Sequence, residues 1–448
     1  MKSNIISVGI FFDGTGNNGM NATSPGKPLK NNESYYGNMT NIYKMFTLFN
    51  GEEKLYIEGI GTVTAREDSD FAMATCKNPS GFQGYSSDDK IQKVFSFVQD
   101  VMADHEKYYE FYIYGFSRGA MLARSFCHEL LKPDSSLPGN FKVKFLGVFD
   151  TVESAPFNDY HVMVPPAVEK ALHICAVNEC RFFFPLTGFF EDSGLMEDSE
   201  FQTGHTTWKE IFVPGAHADI GGGYLEGSQS VYVSPNFLLA DELDGYINTI
   251  RTTSTDITGQ EIWSALLDGY KIDQGEVFAQ AYISRTLVYN ELSKVYGKLM
   301  LEESNAEKPV FNTDPEHSHF AIDPEKHPYL TLLSEDLEKY IKNISQEMKP
   351  AYDYNKLKDY IHISGNFGLY HLAISKNSNS AGSTELINNG LNVPGNSDDQ
   401  FMANQSKLQQ EIHHIEDSIV DYAYGTNIPN NDLWNRTILI KENLYYKC

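Results

Sequence analysis

A serine between two glycines is the residue of this chain whose setting points most directly to chemistry. Ser117 lies in the run Gly115-Phe116-Ser117-Arg118-Gly119, after a series of β-forming residues and before an Ala- and Leu-rich segment that favours a helix. The pattern is typical of a sharp strand-to-helix turn that presents a serine hydroxyl above a sheet, where small residues on both sides avoid collisions with backbone. A serine that only caps the helix is the alternative. The strand before it and the helix after it favour a nucleophile.

A serine nucleophile needs a base and a carboxylate that orients the base. Asp219 and His362 follow Ser117 in the order Ser, Asp, His, and we expect this pair to complete the site. Asp150 and His217 keep the same order and form the competing pair. Each also has a structural interpretation: His217 as a loop histidine, Asp219 as a cap of the glycine turn that follows it, and His362 as a half-buried strand residue.

An oxyanion formed at Ser117 needs backbone N–H donors nearby. The N–H of Arg118, the residue after the serine, is the first expected donor. The second is expected from Gly14 and Thr15, because a glycine turn at the end of the first strand lets backbone approach a bound oxygen closely. The full G-x-x-x-x-G-K-[ST] pattern of a nucleotide-binding loop is absent, which argues against an NTPase.

Strand-like and helix-like segments alternate through the first half of the chain. Strands separated by helices predict parallel β-α-β units and a doubly wound sheet with helices on both faces. Reactive side chains in such a sheet lie beyond the carboxyl ends of the strands. The strands expected to precede the candidate residues are "NIISVGIFF", "YYEFYIYGF", "FKVKFLGVFDTV" and "TTWKEIFVPGAH", with a last strand, "DYIHISGNF", at 359–367. The predicted fold class is α/β, of the α/β-hydrolase type.

Interruptions of this rhythm suggest how the chain is divided. Tyr-, Phe- and Pro-rich pieces follow the strand "FKVKFLGVFDTV", and a largely helical pattern follows the glycine turn. An Asn-, Ser- and Gly-rich spacer from residue 376 precedes a helix candidate at 400–422. The expected parts are a first part of the core at 1–154, an insertion at 155–205, a core strand with its catalytic loop at 206–225, a helical insertion or lid at 226–350, and a last core strand with a C-terminal tail at 351–448.

Composition excludes several classes of function. The formal charge of −25 on 448 residues argues against broad electrostatic binding to nucleic acid or to anionic lipid. The five cysteines lack the paired spacing of a zinc site and are expected to be reduced thiols. No metal or cofactor is expected. The N-terminal apolar run is too short for a secretory signal and no stretch reaches the length of a membrane span, which predicts synthesis in the cytoplasm without a general export signal.

A cluster of phenylalanines offers apolar surface for contact with a lipid. Phe182, Phe183, Phe184, Phe189 and Phe190 lie within nine residues, interrupted by a proline and a glycine. Such a cluster fits either a lid or an interfacial patch, or the ordinary packing of an insertion.

Four motifs in this order, "FFDGTGNN", "GFSRGA", "GVFDTV" and "PGAHADIGGGY", resemble a bacterial family of α/β hydrolases that includes the first class of type VI secretion lipase effectors. The likeness covers residues 4 to 225, including "HICAVNECRFFFP". It implies Ser117 as the nucleophile and Asp219 and His362 as the natural match for the acid and the base, while Asp150 and His217 lie in the family's other two signature blocks and remain contenders.

The resemblance also implies an antibacterial phospholipase A that attacks glycerophospholipids in the periplasm of rival cells. A lid or membrane-contacting module formed by the insertions, a cognate immunity protein, and a spike or tube protein of the secretion machinery are the partners that it implies. Two other functions stay open. One is a cytoplasmic esterase or thioesterase that acts on small acyl substrates, and the other is a non-catalytic interaction module carried by secretion machinery.

Overall fold

The computed structural model describes residues 5–28, 32–132, 140–155, 160–235, 238–274, 278–313, 319–367 and 427–439. Within these ranges the chain is built around a seven-stranded sheet in the order β2-β1-β3-β4-β5-β8-β7. Its strands are β1 (Ile5–Phe12), β2 (Glu53–Ile57), β3 (Tyr108–Phe116), β4 (Phe141–Phe149), β5 (Val168–Ala176), β7 (Ser199–Thr203) and β8 (Thr206–Val213). Neighbouring strands are parallel except for β7 and β8. The predicted mostly parallel sheet is confirmed.

Helices cover both faces of this sheet, as expected for a doubly wound fold. Successive residues of β1 point to opposite sides, so that Phe11 belongs to one buried cluster while Ile10 and Phe12 belong to the other. The helices are α1 (Gly19–Ala22), α2 (Glu33–Tyr36), α3 (Asn41–Leu48), α4 (Asp70–Thr75), α5 (Ser87–Val101), α6 (Arg118–Leu130), α7 (His217–Gly221), α8 (Ala240–Thr253), α9 (Leu292–Asn305), α10 (Pro328–Ile341) and α11 (Tyr354–Leu357). Buried residues of α5 and α6 pack on one face, and those of α3, α9 and α10 pack on the other.

The strand registers bring the ends of the central strands together. Phe12 of β1 pairs with Gly115 of β3, and Phe116 of β3 pairs with Phe149 of β4. The residues that follow β1, β3 and β4 therefore emerge side by side at one edge of the sheet. This edge is where an α/β fold places its reactive groups.

Two of the expected insertions contain strands. The segment at 155–205 does not stand apart from the core, because β5 and β7 are strands of the main sheet. The segment at 226–350 is not only helical, since β9 (Gly227–Tyr232), β10 (Lys271–Gln274) and β11 (Ala279–Val288) form a separate antiparallel sheet. A helical pattern was correct for α8, α9 and α10 but missed these strands.

The expected last core strand at 359–367 is not formed. A turn follows α11, and residues 361–367 are irregular, held by contacts such as the Ile363 N–H to Gln229 Oε1 at 3.0 Å. The spacer from 376 and the helix candidate at 400–422 lie outside the described residues. The chain reappears at 427–439, where β12 (Ile438–Leu439) pairs with β6 (Leu186–Thr187). Among the described helices, none is long and apolar enough to cross a membrane.

Candidate active site

Ser117 occupies a strained turn between β3 and α6. Its backbone has φ of 59° and ψ of −130°, a region that a residue with a side chain rarely adopts, and its hydroxyl does not cap the helix. A Cβ on Gly115 would lie 2.5 Å from the Cα of Ala120, and one on Gly119 would lie 2.3 Å from the backbone oxygen of Asp13. Glycine is therefore required on both sides. The strain and the absent cap favour a functional serine over a structural one.

Ser117 opens onto a cavity of about 740 Å³ at the carboxyl edge of the sheet. This volume is in the range of small-molecule and cofactor sites. Thr15, Arg118 and His217 line the same cavity as Ser117. Loops after β1, β3 and β8 thus contribute to one cavity, which is the convergence that the sheet topology predicts.

His217 is bound to Asp150 at this edge. His217 is the first residue of α7, just beyond β8, and its Nδ1 lies 2.5 Å from Oδ2 of Asp150, which directly follows β4. The ring of Phe116, the neighbour of Ser117, lies 4.6 Å from the imidazole. Burial lowers the pKa of His217, although the Asp150 carboxylate opposes this effect. A buried imidazole with a lowered pKa is neutral at pH 7 and able to accept a proton.

Asp150 is itself held by several groups. It has a positive φ of 47°, and its Oδ1 accepts the Ala176 N–H at 2.8 Å. The guanidinium of Arg436 bonds both carboxylate oxygens, Nη2 to Oδ2 at 2.8 Å. Burial would raise the pKa of Asp150, but Arg436 and then His217 outweigh it and hold the pKa well below its usual range. These contacts therefore favour the ionised carboxylate form of Asp150.

Asp219 and His362 form a second pair that lies apart from the cavity wall. Asp219 Oδ1 lies 2.7 Å from His362 Nδ1, and Oδ2 accepts the N–H groups of His362 and Ala216, each at 2.9 Å. Among the described residues that line the cavity, neither member of this pair appears; the ring of Tyr224 does, and it stacks on His362 at 4.1 Å. The structure joins the two residues that the sequence favoured, and neither of them lines the cavity that presents Ser117.

The expected oxyanion donors are also separated by the structure. Thr15 and Arg118 line the cavity, and Arg118 is the first residue of α6. The N–H of Gly14 instead donates to Oδ1 of Asp13 at 2.8 Å, and Gly14 is absent from the cavity lining. In this structure the Gly14 N–H is thus already engaged, and the cavity lining offers Thr15 in its place.

His173, Cys175 and Glu210 are close enough to one another to hold a metal ion. However, both ring nitrogens of His173 are engaged, because Nε2 accepts the Thr151 N–H at 3.1 Å and Nδ1 lies 2.7 Å from Glu210. Glu210 also accepts the Phe189 N–H at 2.6 Å. This chemistry fits a structural support beneath the loop that carries Asp150 better than it fits a metal site.

The phenylalanine cluster divides into a buried and an exposed part. Phe189 is buried against His173, whereas Phe182 is 53% exposed and Phe183 43% exposed. Phe183 and Phe184 line the cavity. The exposed apolar surface next to the site is therefore formed by Phe182 and Phe183 rather than by Phe189.

Sequence reasoning missed Arg436. It carries no motif, and it lies 286 positions from Asp150 in the sequence, so no local pattern signals the contact. Its neighbour segment also supplies Asn427 to the cavity lining.

Comparison with known proteins agrees with this architecture. The sequence profile of the catalytic domain of Tle1-like phospholipase effectors of the type VI secretion system matches residues 7–133 and 132–240, together more than half of the chain. A solved structure of the Tle1 effector bound to the VgrG spike from the type VI secretion system has a TM-score of 0.56 at 20% identity, over 82% of this chain and 85% of that chain. This likeness shows a shared fold.

An uncharacterized protein from Pseudomonas aeruginosa, with a TM-score of 0.39 and 14% identity, aligns over 96% of this chain and 65% of that chain. No curated protein matches the sequence. The matched profile spans Ser117, Asp150 and His217. It also contains β1, β3, β4 and β8, and residues that follow these four strands line the cavity. The chain belongs to the Tle1-like phospholipase effector family of the type VI secretion system.

Proposed function

We propose that the chain is a serine hydrolase of the phospholipase A type, with Ser117 as the nucleophile, His217 as the base and Asp150 as the carboxylate that orients the base. The observation that carries the proposal is that the cavity presenting Ser117 is also lined by His217, whose other ring nitrogen is bound to Asp150. This arrangement replaces the pair Asp219 and His362 that the sequence order favoured.

The reaction follows from this geometry. With Nδ1–H of His217 donated to Asp150, Nε2 is the acceptor for the Ser117 proton as the serine oxygen attacks an ester carbonyl. The imidazolium that forms is stabilised by the carboxylate and then gives its proton to the departing lysophospholipid oxygen. Water hydrolyses the acyl-enzyme by the same route, with His217 as the base again. The chain's own residues supply each proton transfer.

The developing oxyanion is bound by backbone donors. The N–H groups of Arg118 and Thr15 are the proposed pair, because both residues line the cavity and Arg118 begins α6. The positive end of the α6 dipole adds to their effect. Donors placed before the reaction begins stabilise charge without reorganisation, which makes this the largest expected electrostatic contribution.

The first experiment is Ser117→Ala, assayed for fatty acid release from phospholipid vesicles and for labelling by a fluorophosphonate. We expect both to be lost. Ser154→Ala is the matched control, because Ser154 also lines the cavity but its hydroxyl donates to the Phe183 carbonyl at 2.7 Å. Full fatty acid release by Ser117→Ala would refute the assignment, and a wild type that is never labelled would favour the non-catalytic module.

Access to lipid is proposed to come from the exposed phenylalanines at the cavity. Changing Phe182 and Phe183 together to Ser should reduce turnover of vesicles at least 10-fold and leave hydrolysis of a soluble short-chain ester nearly unchanged. Phe82→Ser is the control, since Phe82 is 57% exposed and does not line the cavity. If wild type hydrolyses vesicles and the soluble ester equally well, and changing Phe182 and Phe183 affects neither reaction, an esterase of small acyl substrates would be favoured.

Delivery and partners remain part of the proposal. The related Tle1 effector has been solved on a VgrG spike, and we infer that a spike protein also carries this chain. The periplasm of a target cell is the proposed site of action, with a cognate immunity protein protecting the producer. Expression directed to the periplasm should harm the host and Ser117→Ala should not, whereas cytoplasmic expression should be tolerated. Harmless periplasmic wild-type protein would contradict this proposal.

A further inference from the structure

We propose that Arg436 is a positioning residue of the active site, which fixes the Asp150 carboxylate and sets how readily His217 takes up a proton. The inference rests on the proposed function of His217 and Asp150. It adds a residue from the C-terminal part of the chain, which lies outside the profile match at 7–240. The catalytic domain recognised by sequence would then be incomplete without this part.

The contact between Arg436 and Asp150 is two-pronged and buried. Nη1 bonds Oδ1 and Nη2 bonds Oδ2 at 2.8 Å, with side chains that are 1% and 0% exposed. Nη1 also donates to the Ala176 carbonyl at 2.8 Å and Nη2 to that of Phe184 at 3.3 Å. A planar guanidinium that bonds both oxygens fixes the rotation of the carboxylate, which a single ammonium cannot do.

The segment that carries Arg436 is firmly attached to the fold. The N–H of Leu186 donates to the Thr437 carbonyl at 2.9 Å, and that of Asn430 donates to Cys180 at 2.7 Å. The ring of Trp434 is buried against Trp263 at 5.3 Å. Arg436 therefore has a fixed backbone from which to hold Asp150. A loosely attached side chain could not orient a catalytic group.

Other charged groups near the pair are already balanced. Glu179 accepts the backbone N–H of His217 at 3.3 Å, but Arg181 bonds both carboxylate oxygens of Glu179 at 3.0 and 2.9 Å. On the Asp150 side, His173 accepts the N–H of Thr151, and its own ring is bound to Glu210. Arg118, at the start of α6, directs its guanidinium to the Ser154 carbonyl at 3.1 Å. Arg436 is thus the cation that bonds the Asp150 carboxylate directly.

The charge balance predicts the direction of the effect. With Arg436 present, the group of Arg436, Asp150 and neutral His217 carries no net charge, and protonation of His217 makes it positive. Without the guanidinium the same group starts at −1 and protonation neutralises it, which is favoured in a buried site. Removal of the charge should therefore raise the pKa of His217 and move the acid limb of the pH profile upward.

The test compares Arg436→Gln and Arg436→Lys with wild type, using kcat/KM and kcat for a soluble short-chain ester from pH 4.5 to 9. Arg436→Gln should lower kcat about 100-fold with little change in KM, because a misoriented carboxylate misplaces the base. Its acid limb should shift upward by about one pH unit or more. Arg436→Lys keeps the charge, so its limb should stay near that of wild type while kcat still falls about 10-fold.

Arg285→Gln is the matched control. Arg285 is a half-buried arginine that bonds the carbonyls of Lys358 and Ile361 at 2.7 and 2.8 Å, without contact to Asp150 or His217. We expect lower thermal stability and an unshifted acid limb. An Arg436→Gln enzyme with the wild-type limb would overturn the inference, and so would Arg436→Lys with wild-type kcat if the glutamine variant does not fold. The proposed function is tested separately, by whether Ser117→Ala loses fluorophosphonate labelling. A failure of the proposed function can therefore be told apart from a failure of the inference about Arg436.

Discussion

Two histidine–aspartate pairs lie near the same edge of the sheet and differ in what surrounds them. The Nδ1 contact is 2.5 Å in the pair of His217 and Asp150 and 2.7 Å in that of His362 and Asp219. His217 lines the cavity that presents Ser117, whereas His362 is stacked against Tyr224. A short contact between imidazole and carboxylate is therefore no sign of catalysis by itself, and the two pairs differ in whether the histidine lines the cavity that presents Ser117.

The carboxylates of the two pairs also have different tasks. The guanidinium of Arg436 bonds Asp150 and lowers its pKa, which favours an ionised Asp150 beside His217. Asp219 instead accepts two backbone N–H groups, of Ala216 and His362, and thereby ties the start of α7 to the irregular segment after α11. We propose the first pair as the base and its orienting carboxylate, whereas the carboxylate of the second pair connects two segments of backbone.

The most direct way to break this comparison is to remove each imidazole. His217→Ala should lower kcat about 10⁴- to 10⁶-fold, as expected when the base of a serine hydrolase is lost. His362→Ala should retain activity within about 10-fold of wild type, because His362 acts through structure. The measurement is hydrolysis of a soluble ester by variants whose circular dichroism matches that of wild type. An inactive His362→Ala beside an active His217→Ala would reverse the assignment.

The comparison is sharpened by stability measurements on the second carboxylate. Asp219→Asn places an amide where three donors converge, and we expect the free energy of unfolding to fall by about 2 to 4 kcal/mol. Its kcat at a temperature where it stays folded should change far less than that of Asp150→Asn, for which about a 10⁴-fold loss is expected. Urea unfolding and ester hydrolysis measured on both variants test the separation, and a stable but inactive Asp219→Asn would contradict it.

The smallest expected effect concerns pH. Burial lowers the pKa of His217, so its neutral, proton-accepting form persists below pH 6.5, the ordinary midpoint of a histidine. The acid limb of kcat/KM for the wild type should lie below pH 6.5. His362→Ala should leave this limb in place because its ring does not exchange protons with the substrate. A wild-type acid limb above pH 6.5, or an acid limb that moves in His362→Ala, would contradict the assignment of His217 as the base.

Local sequence signals were sufficient for the part of the site around Ser117. The run of β-formers at 108–116 became β3, the Ala- and Leu-rich segment became α6, and the two flanking glycines are required by close backbone contacts. Strand, turn and helix each depend on residues within about ten positions. Ser117 and Arg118, which these local signals single out, both line the cavity.

The choice between the two acid–base pairs depends on information that one sequence does not contain. Both pairs satisfy the order Ser, Asp, His, so order alone could not rank them. The ranking needs the positions of the strands, since β4 lies beside β3 and carries Asp150 at its end. The strand predicted around His362 is not formed. The segment at 361–367 bonds side chains such as Gln229, and its single backbone bond to Tyr232 at the end of β9 does not extend into a strand pairing.

The strand β5 was missed for a related reason. Its sequence, "VEKALHICA", has two charged residues in its first three positions and follows a Pro-rich stretch, so it resembles an insertion more than a buried strand. Its position between β4 and β8 buries its second half and brings Asp150 and His217 into reach of each other. Tertiary packing decided this element, and propensity did not.

The bond between Arg436 and Asp150 also has a consequence for biosynthesis. It joins residues 286 positions apart, and the loop that it closes contains His217 but not Ser117. Contacts at such separations form late, after local helices and neighbouring strands have assembled. A nascent chain that has emerged from the ribosome only through β8 would thus lack the guanidinium that bonds Asp150, and the proposed site would be complete only after Arg436 had been synthesised.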